Sequence, residues 1–237
     1  MIKRGKNAIK SHMTLEYSFI GIRVQDTVLT PVEWKITIDL VAPVQKGKAK
    51  EDIEYEAGIA YQKVYFWLDT NLPGIVILDV SNENDLYLSN LSSNITMYCP
   101  GNPGDDLIIQ LLHSKISALA FPELIVGDIH LKGSDTALQY TYDCPDGDYG
   151  LPATTAEYYT ECTTRDTDPW WVRDDGFCFE FVRPEDSEAT NEELFADIVD
   201  PMDEFEKIII EAADMHISMA REPAKIVQVE KWKPKTV

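Results

Sequence analysis

The chain has 237 residues, 44% of them hydrophobic and 10% aromatic, which is enough to bury a sizeable core and excludes wholesale disorder. Its net charge is −20 with a pI near 4.4, and 22 of its 41 acids fall in residues 143–214 against 4 bases. Such a segment repels nucleic acid and anionic membranes and attracts basic partners, and no apolar run approaches the roughly 20 residues of a membrane helix.

The first segment, MIKRGKNAIKSHM, is basic and lacks an apolar stretch, so it does not read as a secretory signal. Residues 1–13 are set apart as a basic tail in which SHM resembles a cloning remnant. LEYSFIGIRV then reads as a strand. In VEWKITIDLV, residues 32–41, Val32, Trp34, Ile36, Ile38 and Leu40 alternate with Glu33, Lys35, Thr37 and Asp39, the pattern of a strand with one wet face. Thr30-Pro31 reads as the turn before it, QKGKAKEDIEYE (45–56) as a charged loop, and KVYFWLDT with GIVILDV as two strands of a hairpin joined by Asn71-Leu72-Pro73-Gly74.

CPGNPGDDLIIQLLHSKISALA is the clearest helix, entered through Pro-Gly and Asn-Pro and predicted to be capped by Asp105 or Asp106. Leu107, Ile108, Leu111, Leu112, Ala118 and Leu119 make its apolar stripe wide, so the helix is expected to be mostly buried. ELIVGDIHL (123–131) and ALQYTYDC read as strands. Residues 145–170, rich in Gly, Pro, Thr and Asp, read as a long loop excursion, and WWVRDDGFCFEFV as a return to strand. PEDSEATNEELFADIV and DPMDEFEKIIIEAADM then form an acidic amphipathic pair of helices over about 191–219. Met202, Phe205 and Ile209 make the stripe of the second helix. The expected fold is therefore α+β: a single domain over 14–237, with a mainly antiparallel sheet, a buried helix at about 105–120 and that C-terminal pair.

The chemistry-bearing motifs are sparse. No GxGxxG or GxxxxGK[ST] is present, and the acids of GNPGDD stand where a phosphate would sit, which opposes an anion site there. Cys99, Cys144, Cys162 and Cys178 lack CxxC spacing and are too scattered for a disulfide framework, so a reduced, cytoplasmic protein is expected. Asp143, Asp146 and Asp148 around Gly147 offer hard oxygens for calcium or magnesium, without the closing Glu of the usual calcium loop, and no resident cofactor is otherwise expected. His113, His130 and a strand carboxylate such as Asp128 could assemble a site; Asp69 and Asp79, flanking the predicted hairpin, could hold a cation between them.

Two functional expectations follow. The first is a non-enzymatic interaction or inhibitor protein, a mimic of DNA, that docks its negative 143–214 surface on a basic, nucleic-acid-binding partner without binding nucleic acid or membrane itself. Its contact residues would be Asp174, Asp175, Trp171, Glu192, Glu193, Asp203, Glu204, Glu206 and Glu211. The second is a divalent-metal enzyme with carboxylate ligands drawn from Asp69, Asp79, Asp128, Asp143, Asp146 and Asp148. A structural subunit of a homo-oligomer is the third course.

Overall fold

The alternation of apolar and polar residues between positions 11 and 42 becomes one long antiparallel hairpin. In the computed structural model, which describes residues 11–85, 96–142, 169–174 and 202–211, β1 (Ser11–Gln25) pairs with β2 (Val28–Ala42) from Ser11↔Ala42 to Gln25↔Val28. Ser11, His12 and Met13 are thus part of β1, so the tail boundary at residue 13 falls inside a strand. The turn is Asp26-Thr27, not Thr30-Pro31, and both its residues have positive φ, 48° and 66°. That is the backbone a two-residue hairpin needs to match strand twist. For the β-branched Thr27 it is unfavourable, and the N–H of Thr27 is fixed by the buried carboxylate of Asp85 at 2.7 Å. Pro31 sits within β2 opposite Ile22, whose N–H turns the other way, to the Ile75 carbonyl, so the missing proline donor costs this ladder nothing.

The predicted loop holds only over residues 45–49, and from Lys50 the structure overturns it and the hairpin strand after it: α1 (Lys50–Asn71) runs through both. Its buried residues Ala57, Ala60, Val64, Trp67, Leu68 and Asn71 recur at helical spacing. Half the stripe is alanine or asparagine, and the aromatic run Tyr65-Phe66-Trp67 around it has the composition of a strand. Gly74, at φ 74°, then turns the chain into the sheet beside β1. There β3 (Val76–Asp79) lies parallel to β1, and β4 (Thr96–Cys99) parallel to β3. The close approach of this turn requires Gly21, where a Cβ would stand 2.6 Å from the Ile75 carbonyl oxygen.

The helix predicted at 105–120 is present as α2 (Asp105–Ala120), followed by β5 (Ile125–Gly133) and β6 (Tyr140–Tyr142). The sheet is mixed, six strands in the order β4-β3-β1-β2-β5-β6. Leu15, Phe19, Trp34, Ile36, Ile38, Leu40, Ile129 and Leu131 point from one face into a core completed by Trp67, Leu68, Leu111, Leu112 and Ile116 of the two helices. Residues 169–172 form a turn, closed by the Val172 N–H on the Pro169 carbonyl at 3.0 Å, rather than the strand expected at Trp170-Trp171. Both tryptophans are core, edge to face at 5.7 Å. The segment 202–211, α3, packs on α1 through a Phe205–Phe66 stack and the pairing of Glu206 with Lys63 at 3.0 Å, and its Met202 is buried in the core. The partner helix expected from residue 191, the 145–168 part of the excursion and the tail from 212 lie outside the described residues.

Asp105 does not cap α2, for no side-chain bond closes that N-terminus. Its buried carboxylate instead pairs with Arg23 of β1 and accepts from Trp34 Nε1 at 2.9 Å, while Arg23 also reaches Asp135 at 2.9 Å and lies over the Trp34 ring. Two strands, the start of α2 and the loop after β5 are thereby tied at one end of the sheet. Removing one partner strands a buried charge, which costs about 3–5 kcal/mol. Asp105→Ala is accordingly expected to lower unfolding free energy by about that much in urea titrations, whereas an Asp106→Ala control is expected to cost under about 1 kcal/mol.

Candidate metal centre on the open sheet face

Strand alternation that buries Trp34, Ile36 and Ile38 of β2 sends Lys35, Thr37 and Asp39 to the opposite face. The same rule in β5 buries Ile129 and Leu131 and sends Asp128, His130 and Lys132 to that same open face. The ladder between the two strands is broken once. Ile38 faces Ile129 and Leu40 faces Val126, so two residues, Gly127 and Asp128, stand opposite Asp39. This bulge lets Val126 and Ile129, three residues apart, both pack toward the core. It also sets Asp128 beside Asp39.

The result is a cluster from two strands. Asp39, Asp128 and His130 each present one ligand-type atom, all within 4.8 Å of one another. Flanking strands brace it. Thr14 of β1, opposite Asp39, donates its hydroxyl to Asp39 Oδ1 at 3.0 Å, and Thr141 of β6, opposite His130, meets His130 Nδ1 at 2.9 Å. Thr141 occupies Nδ1 and leaves Nε2 as the open ring nitrogen; with the Thr141 hydroxyl accepting from Nδ1–H, Nε2 holds the lone pair that a metal needs.

The bulge is also held from below. His113 of α2 is buried beneath β5 and hydrogen-bonded to the backbone of Gly127, with its ring edge on Tyr142 at 4.9 Å. Its Nε2 has no partner, so the bond to the Gly127 carbonyl falls to Nδ1–H. Burial pushes the His113 pKa below its usual 6.5, and the Gly127 bond pulls partly back up. The imidazole therefore sits neutral under the strand.

Of the grouping His113, His130 and Asp128 expected from sequence, the structure unites the last two and puts His113 on the other side of the sheet. Asp39 was legible only as a wet-face residue, because its neighbour in β5 depends on a register that the sequence does not display. Asp69 and Asp79 do not face each other, since the hairpin that was to join them is a helix end. Asp69 accepts from Tyr17 at 3.1 Å and Asp79 turns back to the Ser81 N–H at 2.8 Å. The hydroxyl of Tyr17 is pushed up to about 12, by burial first and then by Asp69. Asp143, Asp146, Asp148, Asp175, Glu192 and Glu193 lie outside the described residues. Asp174, Asp203, Glu204 and Glu211 are exposed. Glu206 is half-buried and engaged by Lys63. Trp171, expected at a surface, is 0% exposed because it fills the core beside Trp170, so it offers no contact area to a partner.

No family model matches the chain. No curated protein matches it. Among solved structures it is similar to an uncharacterized protein, WS1659, from Wolinella succinogenes, at 11% identity and a TM-score of 0.35, with 57% of this chain and 99% of the other covered.

The lowered pKa of His113 fixes the sign of a pH effect. As pH falls below about 6.5 the unfolded chain takes up this proton before the folded one does, so the contribution is complete above that value and is lost below it. The stability advantage of the wild type over His113→Asn, which keeps a donor near Nδ1, is expected to shrink between pH 7.5 and 5.5, by at most about 1.4 kcal/mol per unit. An advantage constant across that range in urea titrations would contradict it.

Proposed function

We propose that this chain is a divalent-metal-dependent enzyme whose metal is held by Asp39, Asp128 and His130. The observation that carries the reading is the approach of these three ligand atoms to within 4.8 Å on an open sheet face, braced by Thr14 and Thr141. Ligand atoms around a tetrahedral ion at 2.0–2.1 Å stand about 3.3 Å apart, so no pair in the cluster must close by more than about 1.5 Å. Rotation of the carboxylates supplies that, and a bound dication offsets the repulsion between them.

Two carboxylate oxygens with one imidazole nitrogen suit manganese, zinc or iron(II). Calcium, which takes six to eight oxygens, suits them less well. Three protein ligands leave positions open for water and substrate, as in catalytic rather than structural centres. Such a centre polarises a bound oxygen and lowers the pKa of water. A cytoplasmic setting belongs to the same proposal. Among the described residues, no helix is long and apolar enough to cross a membrane.

Calorimetric titration with manganese and zinc is expected to give saturable 1:1 binding. Asp39→Asn, Asp128→Asn and His130→Ala should each weaken it at least tenfold with far-UV circular dichroism unchanged, and Thr14→Ala roughly tenfold. Wild-type protein with no saturable binding of either metal would refute the proposal.

A second reading keeps the acidic segment as a docking surface for a basic, nucleic-acid-binding partner. What favours it is α3, which presents Asp203, Glu204 and Glu211 to solvent from a base clamped on α1 by the Phe205–Phe66 stack. Under this reading, Asp203→Asn with Glu204→Gln reduces affinity for a cationic probe such as protamine more than Glu51→Gln with Asp52→Asn, a charge-matched change on α1. Equal losses from the two pairs would show that net charge alone is at work.

A further inference from the structure

The open face carries a second feature on the next rung of the same two strands. Lys35 of β2 stands directly opposite Lys132 of β5, and both are exposed. Cross-strand neighbours of like charge destabilise a sheet, yet in a chain with 41 acids and 21 bases neither lysine is in an ion pair with any described residue. The rung pairing Thr37 with His130 is two residues away, about 7 Å along the strand. Asp39 is four residues from Lys35, about 13 Å along the strand, so lysines extended on their four-carbon stems reach the outer oxygens of an anion seated at the His130 side of the cluster.

We propose that Lys35 and Lys132 form the anion subsite of this centre and that its ligand is a small phosphate monoester. The inference rests on the metal reading and supplies its substrate class. Among the ligands and the two lysines the charges match: two carboxylates neutralise a dication, and two ammonium groups remain for a phosphate dianion. Phosphate oxygens are hard ligands that fill open positions on manganese or magnesium-like ions, and lysine binds phosphate as a point charge. Ser18, opposite Lys35 on β1, adds a hydroxyl to the same rung. The size limit comes from the surroundings. Glu16, opposite Thr37, and Glu33, two residues before Lys35, put carboxylates on the same face. With the net charge of −20 they oppose a polyanion such as nucleic acid, so a single phosphate group fits where a polynucleotide does not.

The experiment has two stages on the full chain. Manganese affinity is measured first by water-proton relaxation, then the affinity of the manganese-loaded protein for phenyl phosphate. The double variant Lys35→Gln/Lys132→Gln is expected to raise the phenyl phosphate Kd at least tenfold while the manganese Kd stays within about twofold. The charge-matched control Lys46→Gln/Lys50→Gln is expected to leave both unchanged. Manganese binding without phenyl phosphate binding, or equal effects of the two double variants, would overturn the subsite and leave the metal reading standing. A single-stranded oligonucleotide that displaces phenyl phosphate more strongly than inorganic phosphate does would overturn the size limit. Failure of the wild type to bind manganese would remove the metal reading and the subsite with it.

Discussion

A pleated strand shows its side chains to two faces in strict alternation, and in the β2–β5 ladder only one of them faces the core. The proposed metal centre and its anion subsite both depend on that constraint. Once Trp34, Ile36, Ile38, Ile129 and Leu131 are committed to the core under α1 and α2, the intervening residues have no choice of side. Lys35, Thr37, Asp39, His130 and Lys132 are gathered on the open face by the hydrophobic effect acting on their neighbours, not by attraction for one another. A shift of register by one residue would bury these charges and expose the core, so the arrangement is as firmly specified as the core itself.

Within that frame the bulge opposite Asp39 is the local departure from regularity. It lets Val126 and Ile129 both serve the core and places Asp128 next to Asp39. Support comes from three directions: Thr14 from β1, Thr141 from β6 and His113 through the Gly127 backbone from α2. At the far end of the sheet the Arg23–Asp105 pair, with Trp34 and Asp135, locks α2 to β1 and β2. The helix that carries His113 is thus itself anchored to the strands whose bulge His113 holds.

The sequence displayed the parts of this fold that follow from local periodicity. The wet and dry faces of residues 32–41, the extent of α2 and the stripe of Met202 and Phe205 were all legible, because each depends on spacing within one element. What required contacts between elements was not. α1 was misread because half of its buried side is alanine or asparagine while its aromatic run mimics a strand. Asp105 looked like a helix cap until Arg23, 82 residues earlier, turned out to be its partner. Asp128 and His130 were named as candidates, but Asp39 joins them only through the pairing of β2 with β5. The two lysines on the next rung were hidden for the same reason. Trp171 was a candidate contact residue because local alternation does not say what the turn at 169–172 packs beneath.

The central claim is that one histidine and two aspartates from the open face share a single ion. Electron spin-echo envelope modulation of manganese bound to the full chain reads the ligands directly, because a coordinated imidazole nitrogen modulates the echo. The account predicts one such nitrogen, lost in His130→Ala and retained in His113→Asn. No nitrogen modulation in the wild type, or modulation that survives the loss of His130, would contradict it.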